Sequence, residues 1–234
     1  MFLCEVDISL LAEIFYKNGV IEIIPPPAKP RELASDVESR VFFNARVISQ
    51  FPETCELVLG HFSQMIEGLK KPFFSNEKPD LVCSVPHGAD HLAVLVGREL
   101  KLPVFQFEKE ENGQFTLSGK NLKNLRRFEN STALVVDDVL TTGLSSGKVG
   151  DYLLKQGIGL AGLVCLVDRQ RGGTKSLGKK GIKQVNCLMT MEAILQALIH
   201  KKTEFGKELP PIASKDGEEA VIREELDRIQ KGGV

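Results

Sequence analysis

Two periodicities divide the chain. Between residues 7 and 17, Ile8, Leu11 and Phe15 recur on one helical face with Leu10 and Ile14 beside them, and Gly19 stands where such a helix ends. "PETCELVLGHFSQMIEGLKK" predicts a second helix starting at its proline, with Leu57, Val58, His61, Phe62, Met65 and Ile66 inward. From Asp80 the rhythm changes. Short apolar runs, "DLVCSV", "LPVFQFEK", "ALVVDD", "LAGLVCLVD" and "VNCLM", alternate with the helical segments "PHGADHLAVLVGRELK", "SGKVGDYLLKQG" and "TMEAILQALIHKK". Buried strands alternating with helices predict an α/β fold with a parallel sheet covered on both faces. Ligands of such sheets sit beyond the carboxyl ends of the strands. "RVFFNARVIS" reads as a further strand, and "IEIIPPPAKPRELASDVES" as an extended surface connection, because its prolines exclude helix. "EEAVIREELDRIQ" has the i to i+4 charge pairs of a surface helix. There is no internal repeat.

Bulk composition narrows the classes. With 234 residues the chain needs no disulfide staples to form a core. Lys plus Arg is 30 against 31 for Asp plus Glu, which argues against a nucleic-acid partner. The densest basic cluster, "GTKSLGKKGIK", is short and broken by glycines, as in a solvated loop. The five cysteines are scattered without a C-x-x-C pair, so they are expected to be free thiols, most of them buried, in a reducing cytoplasm. The first residues are acidic rather than basic, unlike a signal peptide, and no apolar run is long enough for a bilayer; no membrane partner is expected.

Candidate chemistry concentrates in "ALVVDDVLTTGLSSGKVGDYLLKQG". Asp137 and Asp138 fall where a strand meets its loop, and Thr141, Thr142, Gly143, Leu144 and Ser145 fall where the next helix begins. A helix N-terminus offers unpaired N–H groups and the positive end of its dipole, so a phosphate monoester suits residues 141 to 145. Ionised carboxylates accept hydrogen bonds only, which suits hydroxyl donors or a hydrated cation. Hydroxyls on one side and phosphate on the other describe a ribose 5-phosphate. A Walker A loop is excluded, because "GLSSGKV" is one residue short and valine follows the lysine. No G-x-G-x-x-G occurs. The plain alternative, a helix capped by an Asp and a Ser, accounts for one of each and not for the whole stretch.

"ALVVDDVLTTGLS" resembles the phosphoribosyl diphosphate motif of the type I phosphoribosyltransferases. The resemblance implies a five-stranded parallel sheet flanked by helices with a small N-terminal hood. It divides the chain into a hood region at 1–75, a core at 76–200 and a polar tail with a surface helix at 201–234. It gives Asp137 and Asp138 the ribose hydroxyls, and residues 141 to 145 the 5-phosphate. "SVPHGADHLAV" lies where the family has its diphosphate loop, which brings in Pro86 and His87. Two further stretches are similar to orotate phosphoribosyltransferases. "RVFFNARV" matches a strand whose aromatic packs on the pyrimidine, here Phe42 and Phe43, and "LVDRQRGG" matches a segment whose arginine binds the orotate carboxylate, here Arg169. A guanidinium fork fits a planar carboxylate; without the resemblance a loop-edge salt bridge explains Arg169 equally well.

The family's flexible loop departs most. "FEKEENGQFTLSGK" keeps Lys109 and Glu110, has Glu108 where an arginine is usual, and leaves only Lys120 to substitute for a later lysine. What the resemblance implies is transfer of ribose 5-phosphate from phosphoribosyl diphosphate to orotate, releasing diphosphate. Lys109 would act on the leaving group, Mg2+ would be bound mainly through the substrate, and the protein would be a cytoplasmic homodimer. Two rivals stay open: a phosphoribosyl diphosphate-binding regulator with weak or no chemistry, favoured by the depleted loop, and a purine salvage transferase. His87 and His91, four apart, lack the glutamate of a zinc helix; His87 is read as lining the diphosphate loop and His91 as beginning a helix. His61 reads as a satisfied core side chain, and Gly172 and Gly173 as a turn.

Overall fold

The computed structural model describes residues 7–32, 38–69, 78–117, 119–182, 184–202, 208–209, 212–213 and 215–232. Cys4, part of the proline-rich segment and the expected boundary at 75/76 lie outside them. Helices are α1 (Ile8–Lys17), α2 (Pro52–Leu69), α3 (Asp90–Leu100), α4 (Gly119–Leu125), α5 (Leu144–Lys155), α6 (Gly173–Lys179), α7 (Met191–Ile199) and α8 (Glu218–Gln230). The chain separates into two compact units: Met1–Val58 with Arg169–Arg171 and Met189–Val234, and Leu59–Asp168 with Gly172–Leu188.

The second unit is built on a five-stranded parallel sheet flanked by helices. We label its strands β1 (Leu81–Ser84), β2 (Val104–Phe105), β3 (Thr132–Leu140), β4 (Gly159–Asp168) and β5 (Val185–Thr190). Their order is β5-β4-β3-β1-β2. Residues 133 to 137 of β3 are buried on both faces, which is why an unbroken apolar run rather than an alternating one forms the strand. Connections leave in opposite directions from β1 and β3, which makes their shared carboxyl end the topological switch point, where such sheets bind ligands. Val85 N–H donates to Val136 O at 2.9 Å and holds the loop after β1 against β3.

In the first unit, Asp7 caps α1 through the Leu10 amide, and Leu11, Ala12 and Phe15 are buried. Ile21–Ile23 pairs antiparallel with Val41–Phe43. Phe15 meets Phe43 edge-on at 5.5 Å. Thr190 caps α7 through the Ala193 amide.

Four expectations are corrected. The run "RVFFNARVIS" is strand only at Val41–Phe43 and then turns into a 3-10 helix at Ala45–Gln50. The proline-rich stretch is no mere surface connection, since Ile21, Ile23 and Ile24 are buried. The basic cluster contains α6, with Leu177 packed in the core. Helix α8 is anchored rather than superficial: Val221, Ile222, Glu225, Leu226 and Ile229 are buried, an amphipathic face hidden in the sequence by its density of charge.

The cysteine expectation also fails in part. Cys165 and Cys187 form a disulfide across 22 residues of sequence, while Cys83 is a buried and Cys55 a half-buried free thiol. No local spacing announces such a pair, because only the sheet places one cysteine against the other.

Candidate functional site

The acidic pair sits inside β3, which runs past both residues to Leu140. Alternation along a strand sends their side chains to opposite faces, and their environments differ accordingly. Asp137 is 4% exposed. Its Oδ2 accepts from Ser146 Oγ at 2.5 Å and its Oδ1 from the Asp138 amide at 2.9 Å. Burial pushes its carboxyl well above the usual range, the neighbouring Asp138 charge adds to this, and the Ser146 hydroxyl opposes it. Asp138 is only half-buried. Its carboxylate lies directly on Gly88: a Cβ there would meet Asp138 Oδ2 at 1.9 Å. Gly88 therefore has no side chain because Asp138 fills the space.

Both ends of the switch point thus meet at this contact. The peptide between Pro86 and His87 is cis. His87 Nδ1 lies 3.9 Å from Asp90 Oδ2, and Ser84 Oγ donates to Asp90 Oδ1 at 2.5 Å, fixing the start of α3. On α3's first turn, His91 Nε2 is buried with no hydrogen-bond partner among the described residues. Burial lowers the His91 pKa, against the pull of Asp138 and Asp90. His61 Nδ1 is likewise buried and unpartnered, so it is not the satisfied side chain expected.

Helix α5 begins at Gly143, which takes the left-handed conformation (φ 75°) and makes no side-chain capping bond. The first-turn amides are therefore not consumed by the side chain that usually takes them. The alternative in which an Asp and a Ser merely cap this helix is not what forms: Ser146 spends its hydroxyl on Asp137. Thr141, Thr142 and Ser145 are half-buried, and Leu144 is 50% exposed. The loop is buttressed from below by α6. A Cβ on Gly173 would lie 2.6 Å from Thr141 O, and one on Gly143 2.9 Å from Leu177 Cγ. Gly173 is thus a close-packing residue rather than only a turn.

Lys109 lies in a hairpin in which Glu108–Lys109 pairs with Phe115–Thr116. It is exposed, as is Lys120 on α4. The second unit therefore brings together Pro86, His87, Asp137, Asp138 and residues 141 to 145 at one sheet edge, and carries Lys109 and Lys120 on separate elements.

The first unit groups Phe42, Phe43 and Arg169. Phe43 belongs to the core beside Phe15, while Phe42 is half-buried with the Arg31 guanidinium 5.2 Å from its ring centroid. Arg169 is 2% exposed. Its Nη2 donates to Ser39 Oγ at 2.9 Å and Val41 O at 2.8 Å and lies 3.8 Å from Glu225 Oε1; its Nε is buried without a partner among the described residues. Burial brings its pKa down to about 10, Glu225 opposing, so it stays charged at neutral pH. Arg171 and Arg228 also bind Glu225, at 2.8 and 2.9 Å. A separate cavity of about 580 Å³ in this unit, between α1, α7 and α8, includes none of the predicted residues.

Fold and site together define an α/β protein with an anion-ready helix start beside an open carboxylate at its switch point. Comparison with known proteins agrees. Residues 62–197 match the phosphoribosyl transferase domain family, more than half of the chain, and the chain belongs to that family. It is 29% identical over 170 residues to the uridine 5'-monophosphate synthase of Bos taurus, covering 73% of this chain and 33% of that one. To the orotate phosphoribosyltransferase of Caenorhabditis elegans it is 33% identical over 127 residues, 54% of each. The chain thus spans only a third to a half of these relatives. The UMP synthase structure from Leishmania donovani superposes with a TM-score of 0.69 at 18% identity over 95% of this chain and 42% of that one, a likeness of fold. Among the described residues no helix is long and apolar enough to cross a membrane.

Proposed function

We propose that the chain transfers ribose 5-phosphate from phosphoribosyl diphosphate to orotate, releasing diphosphate, as a cytoplasmic homodimer. The observation that carries this reading is the pairing of an open carboxylate, Asp138 on Gly88, with the uncapped start of α5 one loop further on. The first-turn amides and the hydroxyls of Thr141, Thr142 and Ser145 bind the 5-phosphate, and Asp138 accepts from the ribose hydroxyls. Asp137 acts one layer back. Its oxygens hold Ser146 and the Asp138 backbone, so it sets the spacing between acid and loop.

Breaking the anomeric C–O bond leaves positive charge on the sugar and negative charge on the departing diphosphate, so rate follows from stabilising both and excluding water. Lys109 supplies a cation for the leaving group, with Lys120 as a second, and Pro86 and His87 line its path. Among the described residues no group of three His, Cys, Asp or Glu could hold a metal. A magnesium ion would be carried mainly by the substrate's phosphates, and Asp138 would be a hard oxygen donor beside it. When bound, the ion neutralises charge on the diphosphate. Phe42 offers the base a half-exposed ring, and Arg169 a guanidinium for its carboxylate; relatives named for orotate transfer support that choice.

Two observations favour a second reading. Arg169 is sealed by Ser39, Val41 and Glu225, and the hairpin holds a single lysine, as in a protein that binds phosphoribosyl diphosphate with weak turnover or uses an uncharged base. Diphosphate release measured with orotate, uracil, adenine and hypoxanthine decides. Orotate alone supporting turnover is the expected result. Turnover only with a purine, or calorimetric binding of phosphoribosyl diphosphate without turnover, rejects orotate transfer.

A further inference from the structure

The hairpin that carries Lys109 is short and tightly made. Glu110 N–H donates to Gln114 O and Gly113 N–H to Glu110 O, both at 2.9 Å, with Gly113 at φ 74°. Asn112 closes the turn, its Oδ1 accepting from the Gln114 amide at 2.8 Å. One face is rooted in the core of its own unit. Phe107, Phe115 and Leu117 are buried, and Phe107 meets Tyr152 of α5 edge-on at 5.1 Å.

The turn itself is tied to α5. Lys148, on the second turn of α5, extends its Nζ to the Gly113 carbonyl at 2.9 Å and passes over the Phe115 ring, 5.5 Å from the centroid. Phe115 is the residue directly across the ladder from Lys109. A half-buried ammonium that donates to a carbonyl while facing an aromatic quadrupole is held by two attractions at once.

We propose that Lys148 is a positioning residue. It fastens the 110–113 turn to the helix that starts after residues 141 to 143, and so holds in place the strand that carries Lys109. The link to Lys109 as leaving-group cation rests on the function proposed above; the fastening does not. Because α5 provides both the turn proposed for the 5-phosphate and the fastener, that turn and the Lys109 hairpin share one helix as reference.

Three variants of the full chain test this: Lys148→Met, which keeps the stem without the donor, Lys148→Arg, which restores a donor, and Lys155→Met, an exposed lysine on the same helix. Amide exchange at Glu110, Gly113 and Gln114 is expected to speed about tenfold in Lys148→Met, the loss of roughly one hydrogen bond. Exchange in β3 should stay unchanged, and Lys148→Arg and Lys155→Met should match the parent. With phosphoribosyl diphosphate and the active base, Lys148→Met should lower kcat several-fold with little change in the substrate's KM, and Lys148→Arg should recover it. Parental exchange at the turn in Lys148→Met overturns the proposal, as does faster exchange with unaltered kcat. A parent without turnover rejects the transferase reading instead, and the exchange rates then decide the fastening alone.

Discussion

Two charged segments follow neighbouring strands of the same sheet and use their charges in opposite ways. At the end of β3 the Asp138 carboxylate is only half-buried and the first turn of α5 carries no side-chain cap, with the small residues Gly88 and Gly143 beside them. After β4, Arg169 and Arg171 close on Glu225, and Ser39 and Val41 accept from the Arg169 Nη2. Uncompensated polarity costs little where water or a ligand completes it and much more inside, where an unpaired group bears its desolvation cost. The first segment leaves its polar groups within reach of solvent, whereas the second turns most of its own onto the protein.

The contrast can be broken most sharply from the closed side. Glu225→Leu strands two buried guanidinium groups and is expected to cost about 3–5 kcal/mol of stability in urea unfolding. A loss under about 1 kcal/mol would mean the arginines have other support. Next comes the open side. Asp138→Asn should lower kcat/KM for phosphoribosyl diphosphate by about a hundredfold or more, with the urea midpoint nearly unchanged. Equal affinity by calorimetry would remove Asp138 from the site. Gly88→Ala should act through the same carboxylate. The added methyl occupies the space of Asp138 Oδ2, which must rotate away, and a displacement of that size is worth up to about a hundredfold in kcat/KM. Unaltered kinetics would show that the carboxylate has room to shift harmlessly.

The smallest effect concerns Asp137. Burial raises its folded pKa above the unfolded value of about 3.9. From that pH upward the folded state holds more protons than the unfolded one, so this residue's contribution falls as pH rises toward the folded pKa. Asp137→Asn removes the titration. Relative to the parent, the variant should gain stability between pH 4 and 7, read as a rising difference in urea midpoints; a falling difference would place Asp137 among the readily ionised acids.

Much of this was legible before any coordinates. Continuous apolar runs marked the strands of the sheet, and the small polar run at 141 to 145 marked the loop that opens α5. Pairings that depend on distant chain segments were not legible. Gly88 lies 50 residues from Asp138, and only the adjacency of β1 and β3 turns a glycine into the other half of an acid's pocket. Ser146 looks like a cap and is instead the hydrogen-bond donor to Asp137. Cys165 and Cys187 meet because β4 and β5 are neighbours. The fate of Arg169 was hidden for a different reason: its partners lie 130 residues upstream at Ser39 and 56 downstream at Glu225, on a helix whose charges suggest an exposed surface.

Gly173 brings a mechanical consequence. With its Cα against the Thr141 carbonyl and Leu140, there is no slack between α6 and the turn that opens α5. A bulkier residue at 173 would have to part α6 from that turn, so whatever reshapes the start of α6 reshapes the start of α5 as well.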